Sequence, residues 1–330
     1  MRPPRLTQQA GGGLFSSRAE LDKPYILIER EFPLDVAMDK TILDKAGSLI
    51  EALGYIQRFN EKIVVVKLGG SFMDSREEFR KVLTDIVFMH AVGMRPVVVH
   101  GGGKAITQAM NEAGIEAQFV MGRRYTDDRT LAIAEHVLVN DINTFIVQTI
   151  GELGGKAMQL NSLGSAVLFA EKLYLSDQNN PRIDIGRVGQ ITRVNSELLQ
   201  ALAAADYIPV IAPIALDNAG GKLNVNADTA AGFVAAACRA EKMVLVSDTH
   251  GIRRRKDDPA SLLRSVSREE IEKLVAAGNI GEGMLPKVEA CFIALDGGVQ
   301  KTHIIDGRFP HSLLLEIYSD QGVGTEIIRS

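Results

Sequence analysis

The sequence predicts an α/β fold, a three-layer αβα sandwich whose mainly parallel central sheet serves two lobes. Three observations carry this expectation. Residues 62–71, Lys62-Ile-Val-Val-Val-Lys-Leu-Gly-Gly-Ser71, place consecutive apolar residues ahead of a glycine turn, as in a strand covered on both faces. Pro96 to His100 repeats the pattern ahead of Gly101-Gly-Gly103. Each turn is followed by apolar residues at helical spacing, so two strand–turn–helix units form a parallel crossover with both turns at one sheet edge. The 330 residues, 46% hydrophobic, can bury one large core or two modest ones, and two lobes suit that length.

Composition narrows the function classes. A net charge of −4 argues against a nucleic-acid partner, which calls for a basic footprint. The most basic run, Arg253-Arg-Arg-Lys256, meets Asp257 and Asp258 at once and reads as a solvated loop. Cys238 and Cys291 are far apart in apolar stretches and supply neither a disulfide framework nor a paired-cysteine motif, which suits a reducing, cytoplasmic compartment. No apolar run reaches the roughly 18 residues of a membrane span. Residues 1–40 are set apart as a leader. Its first 19 residues hold arginines and serines without an acid, which reads as a disordered Gly-rich segment or, alternatively, a faint likeness to an organelle transit peptide.

In chain order, Ile42, Ala46, Leu49, Leu53 and Ile56 recur at helical spacing, predicting an amphipathic helix over 41–58 that packs on its own lobe or on another subunit. Lys67 then stands where the first strand emerges at the carboxyl edge of the sheet, the ligand-binding edge of open α/β folds. Gly69 and Gly70 lack the Cβ atoms that keep a phosphate from backbone N–H groups. An ordinary glycine turn with Lys67 at a solvated tip fits these residues equally well. Gly101–Gly103 leads into a helix over 104–113, yet it matches neither a Walker A loop nor GxGxxG, since Ala105 and Ile106 hold the deciding positions. Arg123 and Arg124 are candidates for gripping a carboxylate, or plain surface residues.

Further on, a long helix is expected over 128–151, strands near 166–173 and 188–194, and a hairpin connection at Asp184–Gly189. Asn195 caps the next helix, and Ile208 to Ile211 is a buried strand. In Asn224-Val-Asn-Ala-Asp228, Asn226 and Asp228 suit a helix cap and a first-turn acid, which leaves Asn224 unexplained. Ser267 and Glu270 form a capping-box pattern. Lys287 falls in the first turn of a helix, where a cation opposes the dipole unless an anion binds there.

These segments together resemble the acetylglutamate kinases of the amino-acid kinase family. The resemblance covers about residues 41–330 and rests on an ordered series: Lys67-Leu-Gly-Gly-Ser71, His100-Gly-Gly-Gly103, Gly122-Arg-Arg-Tyr-Thr126, Asn224-Val-Asn-Ala-Asp228, Ser247-Asp-Thr-His-Gly251 and Gly283-Met-Leu-Pro-Lys287. It implies an amino-acid-substrate lobe over 61–241 and an ATP-binding lobe over 242–330. The implied reaction transfers the γ-phosphoryl group of MgATP to the side-chain carboxylate of N-acetyl-L-glutamate, in arginine biosynthesis. Lys67 and Lys287 would stabilise the transferring group, with Asp228 orienting both ammonium groups. Gly102, Gly103, Arg124 and Asn224 would hold the acceptor. Gly69, Gly70, Ser247, Asp248, Gly251, Ile252, Asn279 and Gly281 would bind the nucleotide, its magnesium held mainly by phosphate oxygens and water, with no protein metal site.

Two segments resemble the arginine-inhibited subgroup. The helix with Leu49-Ile-Glu-Ala-Leu-Gly-Tyr-Ile56, within an expected interlacing segment 41–60, implies a homo-oligomer, either a dimer or a ring-shaped hexamer. The tail His311 to Ser319 with Gly322-Val-Gly-Thr325 implies an L-arginine site at Tyr55, Glu316, Gly322 and Gly324. His250 stands where the family often has Asp or Pro. A kinase for acetylaminoadipate or a carrier-linked glutamate is the rival within enzymes, since one methylene shifts discrimination by only about 1–3 kcal/mol. A non-catalytic arginine sensor on the same fold is the rival outside them.

Overall fold

The computed structural model describes residues 40–161, 165–176, 180–281, 283–319 and 322–329. The leader expected over 1–40 lies outside the described residues up to residue 39. The chain divides into two compact units, 1–47 and 48–330. Residues 40–47 open helix α1 (Lys40–Phe59), and every other element belongs to the second unit.

That unit begins with β1 (Ile63–Leu68), α2 (Arg76–Ala91), β2 (Arg95–His100) and α3 (Gly103–Glu112), the two strand–turn–helix units expected. Ser75 caps α2 by accepting from the Glu78 N–H at 3.4 Å. A hairpin of β3 (Phe119–Val120) and β4 (Arg123–Arg124) leads to α4 (Asp128–Glu135), a π-helical stretch at His136–Asn143, α5 (Thr144–Glu152) and β5 (Ala157–Leu160). Then come β6 (Leu168–Leu175), β7 (Ile183–Val194), α6 (Ser196–Ala204), β8 (Ile208–Ile211), β9 (Ile214–Leu216) and β10 (Lys222–Asn224). The chain continues through α7 (Ala227–Ala237), β11 (Lys242–Ser247), β12 (Ser265–Ser267), α8 (Arg268–Ala276), α9 (Leu285–Asp296), β13 (Lys301–Asp306), α10 (Ser312–Ile317) and β14 (Thr325–Ile328).

Eight strands form one sheet in the order β12-β14-β13-β11-β1-β2-β8-β5. All pairs are parallel except β13 with β14. The sheet is buried on both faces, and the pleat of β1 sorts the layers. Val64, Val66 and Leu68 pack with Phe79, Leu83 and Ile86 of α2, Ile146 of α5 and Leu313 of α10. Val65 packs with Val234 of α7, Cys291 and Leu295 of α9, and Leu199 of α6. This is the three-layer sandwich, and β1 and β11, which fall on either side of the expected lobe division, pair directly at its centre. On the second face, Gly232 lets α7 meet α9, since a Cβ there would lie 2.6 Å from the Ala290 carbonyl oxygen.

Strands β6, β7, β9 and β10 close into a small barrel, which corrects one expectation. Asp184–Gly189 is not a hairpin connection but part of β7, paired antiparallel with β6 through Tyr174–Asp184 and Lys172–Gly189. Its glycines serve close packing rather than a turn. At Gly186, where φ is +81°, a Cβ would run into the Thr126 carbonyl, and one at Gly189 would lie 2.9 Å from the Leu223 Cβ. The expected helix over 128–151 widens to a π turn at its middle, which carries Asn143 beneath the sheet edge. Helix α1 presents Leu49 and Leu53 at 68% and 45% exposure, so part of its predicted apolar stripe is uncovered in this chain.

Candidate active site

The alternation that points Val65 at the α7 and α9 layer points Lys67 the same way, and both helices begin at that edge. Asn226 caps α7, accepting from the Thr229 N–H at 3.0 Å, and sets Asp228 in the first turn. Pro286 stands in the first turn of α9, which begins at Leu285, and Lys287 follows it there. The result is one carboxylate between two ammonium groups: Lys67 Nζ lies 2.8 Å from Asp228 Oδ1 and Lys287 Nζ 3.7 Å from Oδ2. Burial by itself would raise the Asp228 carboxyl; the charges of Lys67 and Lys287 outweigh it and hold the group below the usual carboxylate range. Three charged residues from distant parts of the chain thus form a cluster with one positive charge in excess.

Two glycine turns flank the cluster. Gly70 has φ of +120°, and a Cβ there would sit 2.8 Å from the Asp248 nitrogen, so only glycine lets the first turn press against the Ser247–Asp248 backbone. In the second turn a Cβ on Gly102 would lie 2.6 Å from Ile142 Cδ1. His100 braces that turn from below. Its Nδ1–H donates to the Gly101 carbonyl at 3.0 Å, and Nε2 accepts from Asn143 Nδ2 at 3.1 Å, which assigns the neutral tautomer. Asn143 also donates to the Val210 carbonyl at 3.0 Å. Burial pushes the His100 imidazole down to about 4.

A cavity of about 250 Å³ opens over both turns, lined by Lys67, Gly69, Gly70, Gly102, Gly103, Arg124, Asn224 and Asp228. The structure therefore gathers all four residues expected at the acceptor with two of the expected catalytic ones. Arg124 donates to the Gly103 carbonyl at 2.9 Å and the Thr107 hydroxyl at 2.7 Å, and its guanidinium lies over the Phe119 ring at 4.8 Å. Asn224 Nδ2 donates to the Thr126 hydroxyl at 3.3 Å. With donors on every side and a carboxylate already committed to two lysines, the cavity is chemically suited to an anion.

A second cavity, about 260 Å³, is lined by Asp248, Gly251, Ile252, Asn279 and Gly281, together with His250, Arg253, Lys256, Met284 and Arg308. Ser247 stands behind this wall, buried, its hydroxyl donating to Asp248 Oδ1 at 3.3 Å. Two members of the basic run read as solvated, Arg253 and Lys256, face this cavity, because the loop folds back through the Arg253–Leu262 bridge. Arg308 was missed by sequence reasoning. Its signal was position alone, two residues beyond β13 at the same sheet edge as Lys67.

A third cavity, about 220 Å³, brings together Tyr55, Glu316 and Gly322 with Arg58, Lys242, Arg264 and Lys301. Glu316 is buried and already engaged: it accepts from the Val323 and Gly324 N–H groups at 2.7 and 2.9 Å and pairs with His303 Nδ1 at 2.7 Å. Burial alone would raise its carboxyl, but His303 and the two N–H groups hold it low. Gly324 acts through that N–H and does not line the cavity. Among the described residues no group of His, Cys, Asp and Glu could hold a metal, and no helix is long and apolar enough to cross a membrane.

Residues 62–306 match the model of the amino acid kinase family. The acetylglutamate kinase of Symbiobacterium thermophilum is 46% identical over 293 residues, covering 88% of this chain and 100% of that protein. The chain belongs to the amino acid kinase family, among the acetylglutamate kinases. It is a kinase, and ATP is the phosphoryl donor the family implies. Solved structures of the same fold include N-acetylglutamate synthase from Neisseria gonorrhoeae, with coenzyme A and N-acetyl-glutamate at TM-score 0.77 and 23% identity, and with coenzyme A and L-arginine at 0.72 and 22%. Each covers 86% of this chain, which spans 63% and 65% of those longer chains.

Proposed function

We propose that this kinase transfers the γ-phosphoryl group of MgATP to the side-chain carboxylate of N-acetyl-L-glutamate, giving the acyl phosphate and ADP for arginine biosynthesis. The observation that carries the proposal is the Lys67–Asp228–Lys287 cluster at the mouth of an anion-suited cavity, in a chain whose relatives bear that activity in their name. A carboxylate is already a nucleophile, so the reaction calls for no general base; the barrier lies in bringing anions together and spreading charge. Lys67 and Lys287 neutralise the transferring group from opposite sides, and Asp228 fixes both. Gly70, Gly102 and Gly103 present backbone N–H groups, with Gly69, whose own N–H donates to the Val246 carbonyl at 3.0 Å, lining the site beside them, while Arg124 and Asn224 hold the acceptor's remaining carboxylate. Arg124 releases the Gly103 carbonyl to do so.

The second cavity takes the nucleotide, with residues 61–241 forming the acceptor lobe and 242–330 the ATP lobe. Magnesium fits only as an ion carried on the phosphates, because the one carboxylate in the cluster is committed to two lysines. The third cavity takes L-arginine, its carboxylate toward the cations and its guanidinium toward the Glu316 side; a solved structure of the same fold also holds L-arginine. The uncovered apolar residues of α1 support assembly with further copies through residues 41–60, as a dimer or hexamer. Two buried free cysteines suit the reducing cytoplasm.

Steady-state ADP release with MgATP tests the reading against N-acetyl-L-glutamate, free glutamate, aspartate, acetylaminoadipate and UMP, each with and without arginine. Turnover confined to N-acetyl-L-glutamate and suppressed by arginine is expected. Preference for another acceptor would overturn the substrate assignment, and turnover indifferent to arginine would overturn the regulatory one.

A further inference from the structure

We propose that Asp306 is a positioning residue for the second cavity, a buried carboxylate that fixes Arg308 and His250 on the cavity wall and, through Arg308, holds the Asp248 carbonyl in place. The proposal rests on reading that cavity as the nucleotide site.

Asp306 ends β13 at the sheet edge where Lys67 emerges, and its side chain is only 5% exposed. Oδ1 accepts from the Arg308 backbone N–H at 3.0 Å and from Nε at 2.9 Å, while Oδ2 accepts from Arg308 Nη2 at 2.6 Å and faces His250 Nδ1 at 3.2 Å. Four donors on one carboxylate leave it little capacity for a ligand, so its part is that of an anchor. The same Arg308 Nη2 donates to the Asp248 carbonyl at 2.9 Å, and the Gly307 N–H donates to the Ser247 carbonyl at 2.8 Å. Two loops on neighbouring strands are thereby locked together around the cavity. Glycine at 307 lets the chain cross there, since a Cβ would meet Phe72 and Val246 side chains at 2.7 Å.

What this fixes faces the ligand. Arg308 and His250 both line the cavity. Arg308 Nε and Nη2 and His250 Nδ1 are taken up by Asp306 and the Asp248 carbonyl, leaving Arg308 Nη1 to donate to a phosphate oxygen and His250 Nε2 to accept from a ribose hydroxyl. A guanidinium held by a bidentate carboxylate loses little rotamer freedom when it binds a further anion. Burial would raise the Asp306 carboxyl, yet the bonds from Arg308 hold it below its ordinary value, consistent with a permanently charged anchor.

The test compares Asp306→Asn, Arg308→Ala and the double variant by ADP titration calorimetry and steady-state kinetics. Asp306→Asn should weaken ADP binding and raise the MgATP KM about tenfold, the scale of a lost charge-assisted bond, with kcat and acceptor KM held within about twofold. The double variant should bind ADP no worse than Arg308→Ala, because the anchor acts through that residue. Unchanged ADP affinity with a lowered Tm would reduce Asp306 to a structural staple and overturn the proposal. Because Arg308 is half exposed, its variant tests the same bridge even where Asp306→Asn does not fold. Gly281→Leu separates the two levels: if filling the cavity leaves ADP affinity unchanged, the nucleotide assignment falls; if it blocks ADP while Asp306→Asn does not, only the positioning role falls.

Discussion

Asp228→Asn keeps the shape of the side chain and removes the one negative charge between two ammonium groups. At 2.8 Å and 3.7 Å, the two pairs attract by about 6 and about 4.5 kcal/mol at an effective dielectric near 20. Desolvation of the carboxylate offsets much of this, and deleting one partner of a sealed ion pair costs about 3–5 kcal/mol. Lys67 borders the open cavity, so the stability loss should sit at the low end, about 3 kcal/mol. The kinetic effect is more specific. The cluster's formal charge rises from two minus one to two, so attraction for a polyanionic nucleotide is not weakened, but the ammonium groups lose their common reference. Turnover should fall about 10²- to 10³-fold, with the MgATP KM unchanged or lower. ADP-release kinetics at 25 °C measure both. A normal kcat with a raised KM would mean that Asp228 serves binding, and the charge argument would fail.

Three further outcomes follow from described geometry. His100 is held neutral down to about 4 against an ordinary 6.5, so between those values the unfolded chain binds a proton that the folded one refuses. Stability is therefore full above about pH 6.5 and falls as pH drops, by about 3 kcal/mol in all; urea melts should show a shallower slope over this window in His100→Gln, with His303, also buried and shifted down, supplying what remains. Gly70→Ala places a side chain where φ is +120° and the Asp248 nitrogen is 2.8 Å away, a strain of about 1–3 kcal/mol; kcat/KM should drop at least about tenfold, and a wild-type value would show that the turn has room. Deleting residues 1–58 should abolish the arginine response and reduce the oligomer measured by light scattering, while an unchanged particle size would remove α1 from assembly.

How legible the molecule was depended on whether a signal was local. Val64-Val65-Val66 announced a doubly covered strand, and the place of Lys67 two residues beyond Val65 already fixed which layer it would face. Asn226 and Lys287 announced two helix starts. That both starts meet Lys67 was visible only by resemblance, since it depends on where the crossovers put α7 and α9. Misreadings came where a residue answered to a distant partner. Gly186 and Gly189 looked like turn glycines because nothing nearby in sequence betrays the Thr126 carbonyl or Leu223. The π turn left no mark in the periodicity of 128–151, and Arg308 looked like any loop arginine until Asp306 and Asp248 surrounded it.

The contact at Gly232 bears on all of this. It lies one turn into α7 from Asp228, against Ala290, one turn into α9 from Lys287. The gap between the charged side chains is therefore gauged by the thickness of bare backbone, as a washer sets the gap between two plates. A methyl group at 232 would act as a wedge and spread charges that it never touches. A residue with no side chain at all thus helps to set the spacing of the charged cluster, and a search guided by reactive chemistry would pass over it.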